Sequence, residues 1–252
     1  VIFIDKYFVG DKEYESGNYR NKPEPLMPST NADFEDMLDT ERRYKKYKQF
    51  VVNKKICDFG CGEGNFLRAT KSYAKSVFGI EIQKNFNDAI NNEGIKCFKK
   101  LQELNEPMDT IFLFHCLEHL SEPSKILKEI YEKLKINGGG KIVVEVPHAR
   151  DLLLDQLELE SFKKFTLWSQ HLILHTRNSL HSFLTDAGFK NIHIEGIQRY
   201  NLSNHLNWLK NGKPGGHKNP LSIIETKNLK NSYADALSKL DANDTLVAVA
   251  TT

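Results

Sequence analysis

No stretch of this 252-residue chain approaches the ~20 consecutive apolar residues that a membrane-spanning helix needs. The longest uncharged apolar run, Ile111 to Leu117, is already interrupted by His115 and Cys116, so no membrane partner is expected. Val1-Ile2-Phe3-Ile4 is too short, and too quickly followed by Asp5 and Lys6, to read as a secretory leader. Cysteine is scarce: Cys57, Cys61, Cys97 and Cys116 lack paired C-x-x-C spacing, and Cys57 and Cys116 sit inside apolar runs, which reads as reduced thiols in a cytoplasmic protein. An excess of either charge is also missing. Lys plus Arg is 35 against 33 Asp plus Glu, so there is no electrostatic reason to expect a nucleic-acid partner.

What is present is a chain able to bury a core, with 40% hydrophobic residues and an alternation of short apolar runs with amphipathic segments. Residues 1–50, broken by Pro23, Pro25 and Pro28, read as an N-terminal arm whose Phe34, Met37, Leu38, Tyr44, Tyr47 and Phe50 recur at helical spacing. Residues 51–252 read as one domain. Its predicted strands are 55–59, 76–80, 96–98, 109–114, 141–146, 189–197 and 245–250, with helices between most of them, including 123–134 and 179–187. Strands alternating with helices build a mostly parallel sheet covered on both faces, an α/β fold of Rossmann-like type. Residues 197–243, with Asn211-Gly212-Lys213-Pro214-Gly215-Gly216, read as a long loop or lid.

The chemistry is concentrated in Ile56-Cys57-Asp58-Phe59-Gly60-Cys61-Gly62-Glu63-Gly64-Asn65, an apolar strand that runs into alternating glycines and then a helix. Glycines without Cβ let a ligand lie against the main chain where strand passes into helix. Glu81 closes the next apolar run, with Ile82 beside it, and a carboxylate there is placed to accept hydrogen bonds from both ribose hydroxyls of a nucleoside. The dinucleotide fingerprint G-x-G-x-x-G would need a small residue where Asn65 stands, which disfavours NAD.

The D-x-G-x-G-x-G pattern of Asp58, Gly60, Gly62 and Gly64 resembles motif I of the class I S-adenosylmethionine-dependent methyltransferases, over about residues 50–195 and the last strand. The resemblance implies a seven-stranded, mostly parallel sheet with an antiparallel last strand, and S-adenosylmethionine as cofactor. It implies that Asp58 and the turn, with Cys61, hold the methionine end and that Glu81 holds the ribose. His115 and Cys116 would border the methyl group. His119 belongs to the Leu117-Glu118-His119-Leu120 stretch common in small-molecule methyltransferases, and Gln102 is the expected partner of the adenine amino group. Val146-Pro147-His148 and Trp168-Ser169-Gln170-His171 look most like enzymes acting on small molecules, sugars and quinone precursors among them.

A hydroxyl acceptor must lose a proton, and a histidine near the methyl group is a natural general base. His115, His119, His148, His171 and His175 are candidates, ranked His171 first and His148 second, while Tyr14, Tyr19, Arg150 and Trp168 are expected on the acceptor side. No metal site is expected: His171 and His175 could share a helix face, but 171–175 also alternates like an extended segment, and no nearby carboxylate or cysteine completes a ligand set. The resulting expectation is a methyltransferase for a small, sugar-like acceptor, oxygen favoured as the methylated atom. A cofactor-binding scaffold and a protein or RNA methyltransferase are the alternatives, and monomer and homodimer both stay open.

Overall fold

A computed structural model describes residues 1–4, 15, 32–136, 138–168, 170–218 and 220–252. Tyr14 and Tyr19, expected on the acceptor side, lie outside the described residues. In chain order the described elements are β1 (Ile2–Phe3), α1 (Ala32–Tyr47), β2 (Lys55–Phe59), α2 (Asn65–Thr70), β3 (Ser76–Ile80), α3 (Lys84–Asn92), β4 (Lys96–Phe98) and β5 (Thr110–Phe114). There follow α4 (Pro123–Lys135), β6 (Lys141–Pro147), α5 (Glu160–Thr166), β7 (Ile173–Leu174), α6 (Arg177–Ala187), β8 (Lys190–Ile197), α7 (Leu202–Asn211), α8 (Lys227–Lys239) and β9 (Thr245–Thr251).

Seven strands form one sheet in the order β4-β3-β2-β5-β6-β9-β8, parallel throughout except for β9, which runs antiparallel to both its neighbours. This is the expected Rossmann-like methyltransferase fold. The chain leaves β2 outward to β3 and β4, then returns to β5 on β2's other side. The strand order therefore reverses between β2 and β5, the place where sheets of this kind bind ligands.

Side chains alternate across each strand, and the sequence fills both faces accordingly. Cys57, Phe59, Ile111, Leu113, Ile142 and Val144 point to a core shared with Leu127, Ile130 and Leu134 of α4 and Leu180 and Leu184 of α6. Ile56, Phe112, Phe114 and Val143 point to the other face, where Tyr47 of α1 and Phe66 of α2 cover them. Phe66 meets Phe112 and Phe114 edge-on, each at 5.0 Å between ring centroids. By the same alternation Asp58 and Glu145 belong to this second face, so two carboxylates are carried toward the layer under α1.

Local signals end the elements where the sequence predicts. Pro123 opens α4, and Gly188, at φ 106°, closes α6 in a left-handed cap. One expectation needs correction. Residues 197–243 are not one long loop, because they contain α7 and α8, the latter capped by Thr226 Oγ1 accepting from the Leu229 N–H. Of the two readings of 171–175 the extended one holds: Ile173–Leu174 is a strand paired with Ile2–Phe3, so His171 and His175 do not share a helix face.

Candidate functional site

At the end of β2 the chain turns sharply under β3. The Gly60 N–H donates to the Ile80 carbonyl at 2.8 Å, and Gly60 has φ +74°, where a built Cβ would stand 2.4 Å from Cys116 Sγ. Glycine is therefore required twice over, by backbone sign and by the approach of β5's exit. The Gly62 N–H donates to Glu81 Oε2 at 2.8 Å, and the other carboxylate oxygen, Oε1, accepts from the Gln83 N–H at 2.8 Å. A Cβ built on Gly62 meets nothing within 4 Å, so the crest of the turn faces open space. Ile82 is half-buried between these anchors, and Cys61 Sγ lies 3.9 Å from Cys97 Sγ, both as free thiols.

Asp58 is only 4% exposed, and its Oδ1 has no hydrogen-bond partner. Burial pushes its pKa up to about 7; Arg43 pulls the other way without cancelling the effect, and Glu81 adds to the rise. A carboxylate in this condition meets its burial by holding a proton or by pairing with a cation.

The exit of β5 is charged in a different way. His115 sits at φ +51° with Nδ1 3.3 Å from Glu118 Oε1 and Nε2 3.2 Å from Glu145 Oε1, and Arg199 Nη1 approaches that Nε2 at 3.0 Å. Glu145 also accepts from Arg42 at 2.8 Å and Arg43 at 2.7 Å, and Asp39 pairs with Arg42 and Arg199. Burial alone would raise the Glu145 pKa, yet Arg43, His115 and Arg42 hold it well below the usual carboxylate range. Asp244 fixes the approach of Arg199 by accepting from the Arg199 and Tyr200 N–H groups, each at 2.9 Å.

His119 and His171 stack at 5.0 Å between ring centroids, with Trp168 5.6 Å from His171. The structure thus brings together His115, Cys116, His119, His171 and Trp168, which the sequence had placed near one site. It separates others. His148 is 1% exposed, its Nδ1 3.0 Å from the Asn243 carbonyl, and burial lowers its pKa to about 4. A wholly enclosed ring is poorly placed to take a proton from an acceptor. His175 is buried against Phe183. Arg150 is engaged by Asp241 at 3.2 Å, and exposed Gln102 donates to Glu129 Oε2 of α4 at 2.6 Å. Sequence reasoning missed Asp39, Arg42, Arg43, Glu118, Glu145 and Arg199. One signal was available: Glu145 stands amid Ile142, Val143, Val144 and Val146, and a charge inside a buried strand needs partners.

The model of a family described as "Methyltransferase domain" matches residues 35–194, well over half of the chain. A tRNA U34 carboxymethyltransferase of Campylobacter hominis is 24% identical over 211 residues, 76% of this chain and 73% of that protein. Among solved structures, a SAM-dependent methyltransferase from Archaeoglobus fulgidus superposes with a TM-score of 0.58 at 17% identity, covering 93% of this chain and 99% of that one. A putative methyltransferase in complex with the Haloferax volcanii Trm112 methyltransferase activator gives 0.56 at 16% identity, covering 87% and 94%. These two likenesses show the fold. The chain belongs to the methyltransferase-domain family. It is an S-adenosylmethionine-dependent methyltransferase, and S-adenosylmethionine is its cofactor. The residues fit that molecule: the unpartnered Asp58 oxygen suits its ammonium group, and the open crest at Gly62 leaves room beside Glu81 for a ribose. The tRNA relative runs against the expectation that no nucleic acid takes part. Among the described residues no helix is long and apolar enough to cross a membrane.

Proposed function

We propose that this enzyme methylates a small, oxygen-rich acceptor, a sugar or sugar-linked metabolite, at a hydroxyl group. When bound, S-adenosylmethionine supplies an electrophilic methyl group. In this reading Asp58 holds the ammonium end, the Gly60–Gly64 turn lies along the methionine, and Glu81 accepts from the ribose hydroxyls. Cys116 and His115 line the approach to the methyl carbon. The bound cofactor would supply that methyl group to an acceptor oxygen and leave as the neutral thioether, while the Glu118, His119 and His171 group or water would take the hydroxyl proton.

The observation that carries the small-acceptor reading is closure over the β5 exit. Two separate segments reach across it, one linked by His119 Nδ1 to the Gln170 carbonyl at 2.6 Å and the other by Arg199 to His115. A polymeric acceptor would want an open groove there, whereas hydrogen-bonding imidazoles and carboxylates suit a polyol. The resemblance to the tRNA enzyme favours a second reading, an RNA acceptor. Conversion of S-adenosylmethionine to S-adenosylhomocysteine in pooled metabolite extract, with and without nuclease, tests both. Turnover that survives nuclease is expected, and turnover confined to undigested RNA overturns the first reading.

A further inference from the structure

No complete metal-ligand set is legible around His171 along the chain, because Glu118 and His119, which complete one, are far from it in sequence. After β5 a 3-10 turn, Leu117–His119, places Glu118 and His119 side by side. The chain then returns after α5, and the Leu172 N–H donates to the Glu118 carbonyl at 2.8 Å, which sets His171 over that turn. One carboxylate oxygen of Glu118 and one ring nitrogen each of His119 and His171 all lie within 4.8 Å of one another. The Glu118 Oε1 to His119 Nε2 separation is 3.9 Å.

Two independent features mark this group as more than a polar cluster. The first is orientation. His119 Nδ1 is 2.6 Å from the Gln170 carbonyl and His171 Nδ1 is 2.8 Å from the Thr166 carbonyl. A carbonyl only accepts, so each Nδ1 carries the proton, and in a neutral ring Nε2 then presents a lone pair. Backbone carbonyls orient metal-binding histidines in this same manner. The second is Glu118 itself, which is 0% exposed, with Oε1 met at 3.3 Å by His115 Nδ1 and Oε2 without a hydrogen-bond partner. An enclosed carboxylate with one oxygen unmet has capacity for a further cation.

We propose that Glu118, His119 and His171 form a binding site for one divalent transition-metal cation of the zinc type, with a coordination position left open toward the acceptor. Two imidazoles and one carboxylate on one side of an ion match such metals, whereas magnesium and calcium favour all-oxygen sets. Cys116, whose Sγ occupies the space that a Cβ on Gly60 would take, sits between this group and the glycine turn. An acceptor hydroxyl bound at the open position would lose its proton more readily. That role rests on the small-acceptor reading above; metal binding itself does not. It also changes the part given to His171, since a ring nitrogen that ligates a metal is not a general base.

The test is titration of metal-stripped full-length protein with Zn²⁺ by calorimetry, and with Co²⁺ followed by its visible absorption, with S-adenosylhomocysteine binding measured on the same samples. One ion per chain is expected, its affinity reduced at least tenfold in Glu118→Gln and in His171→Ala while S-adenosylhomocysteine still binds. Absence of stoichiometric binding to wild-type protein that binds S-adenosylhomocysteine overturns the proposal, as does metal binding unchanged in both variants. If metal binds as expected but no small acceptor is ever methylated, the acceptor reading fails and the site stands.

Discussion

Asp58 and Glu145 are buried carboxylates on the same face of the same sheet, one in β2 and one in β6, and their surroundings are opposite. Glu145 is 0% exposed but ringed by Arg42, Arg43 and His115, which together outweigh its burial. Asp58 is nearly as buried and keeps an oxygen with no partner. Its pKa climbs to about 7, the expected consequence of burial with too little compensating charge. The difference separates a carboxylate held as an anion by internal ion pairs from one whose burial goes uncompensated within the described residues, as the proposed ammonium contact requires.

That contrast can be broken first at Glu145. Glu145→Ala removes the carboxylate shared by Arg42, Arg43 and His115, leaving Asp39 beside Arg42 and Glu118 beside His115, and removing one partner of a buried ion pair costs about 3–5 kcal/mol. Urea denaturation should register a loss of that size, and a loss below about 1 kcal/mol would put Glu145 among ordinary surface pairs.

Asp58 should behave in the opposite sense. Its folded-state pKa of about 7 lies well above the usual carboxylate range, so its contribution favours the fold most at low pH and is lost as pH rises through about 7. For the ligand-free enzyme this gives a negative slope of up to about 1.4 kcal/mol per pH unit across that window. Asp58→Asn should remove this slope, seen as the difference between variant and wild type in denaturation curves collected from pH 5 to pH 8. An unchanged slope would place the proton elsewhere.

Glu81→Ala sharpens the reading of the turn. It removes the acceptor of the Gly62 and Gln83 N–H groups together with the proposed ribose contact. Cofactor affinity should fall about tenfold or more, equivalent to ~1.4 kcal/mol, with the fold retained. Unchanged affinity by calorimetry would remove Glu81 from the site. The smallest effect is expected at Glu41, whose 2.5 Å pair with Lys45 lies on the exposed side of the same helix that carries Arg42 and Arg43. Glu41→Gln should change stability by less than about 0.5 kcal/mol in the same urea assay, giving the baseline against which Glu145 is judged.

The methyl-donor half of the molecule was legible in the sequence because its determinants are local. Ile56 through Asn65 carry strand, turn and helix in one continuous segment, and Glu81 follows at the end of the next strand. The seven strands were likewise marked by apolar runs and by Pro123 and Gly188. The charged cluster at the exits of β5 and β6 was not legible, because its partners meet only through tertiary packing. Arg42 reaches Glu145 across 103 positions, and Asp39 reaches Arg199 across 160. Glu118 could be read only as part of a common stretch until the return of the chain at Leu172 set His171 above it. The polar composition around Gly212 masked the periodicity of α7, whose buried face includes Ser203, Asn204, His205 and Asn207 beside Trp208. Polar residues that bury themselves by hydrogen bonding carry no hydrophobic signature.

In the proposed site Asp58 is the carboxylate that meets the ammonium group of the cofactor. Calorimetric binding of S-adenosylmethionine between pH 6 and pH 8, in buffers of different ionisation enthalpy, addresses this contact most directly. Single-site binding should tighten as pH rises through about 7, with proton release at the low end of the range and neither effect in Asp58→Asn. Affinity independent of pH, with no proton released and no change in Asp58→Asn, would contradict the account.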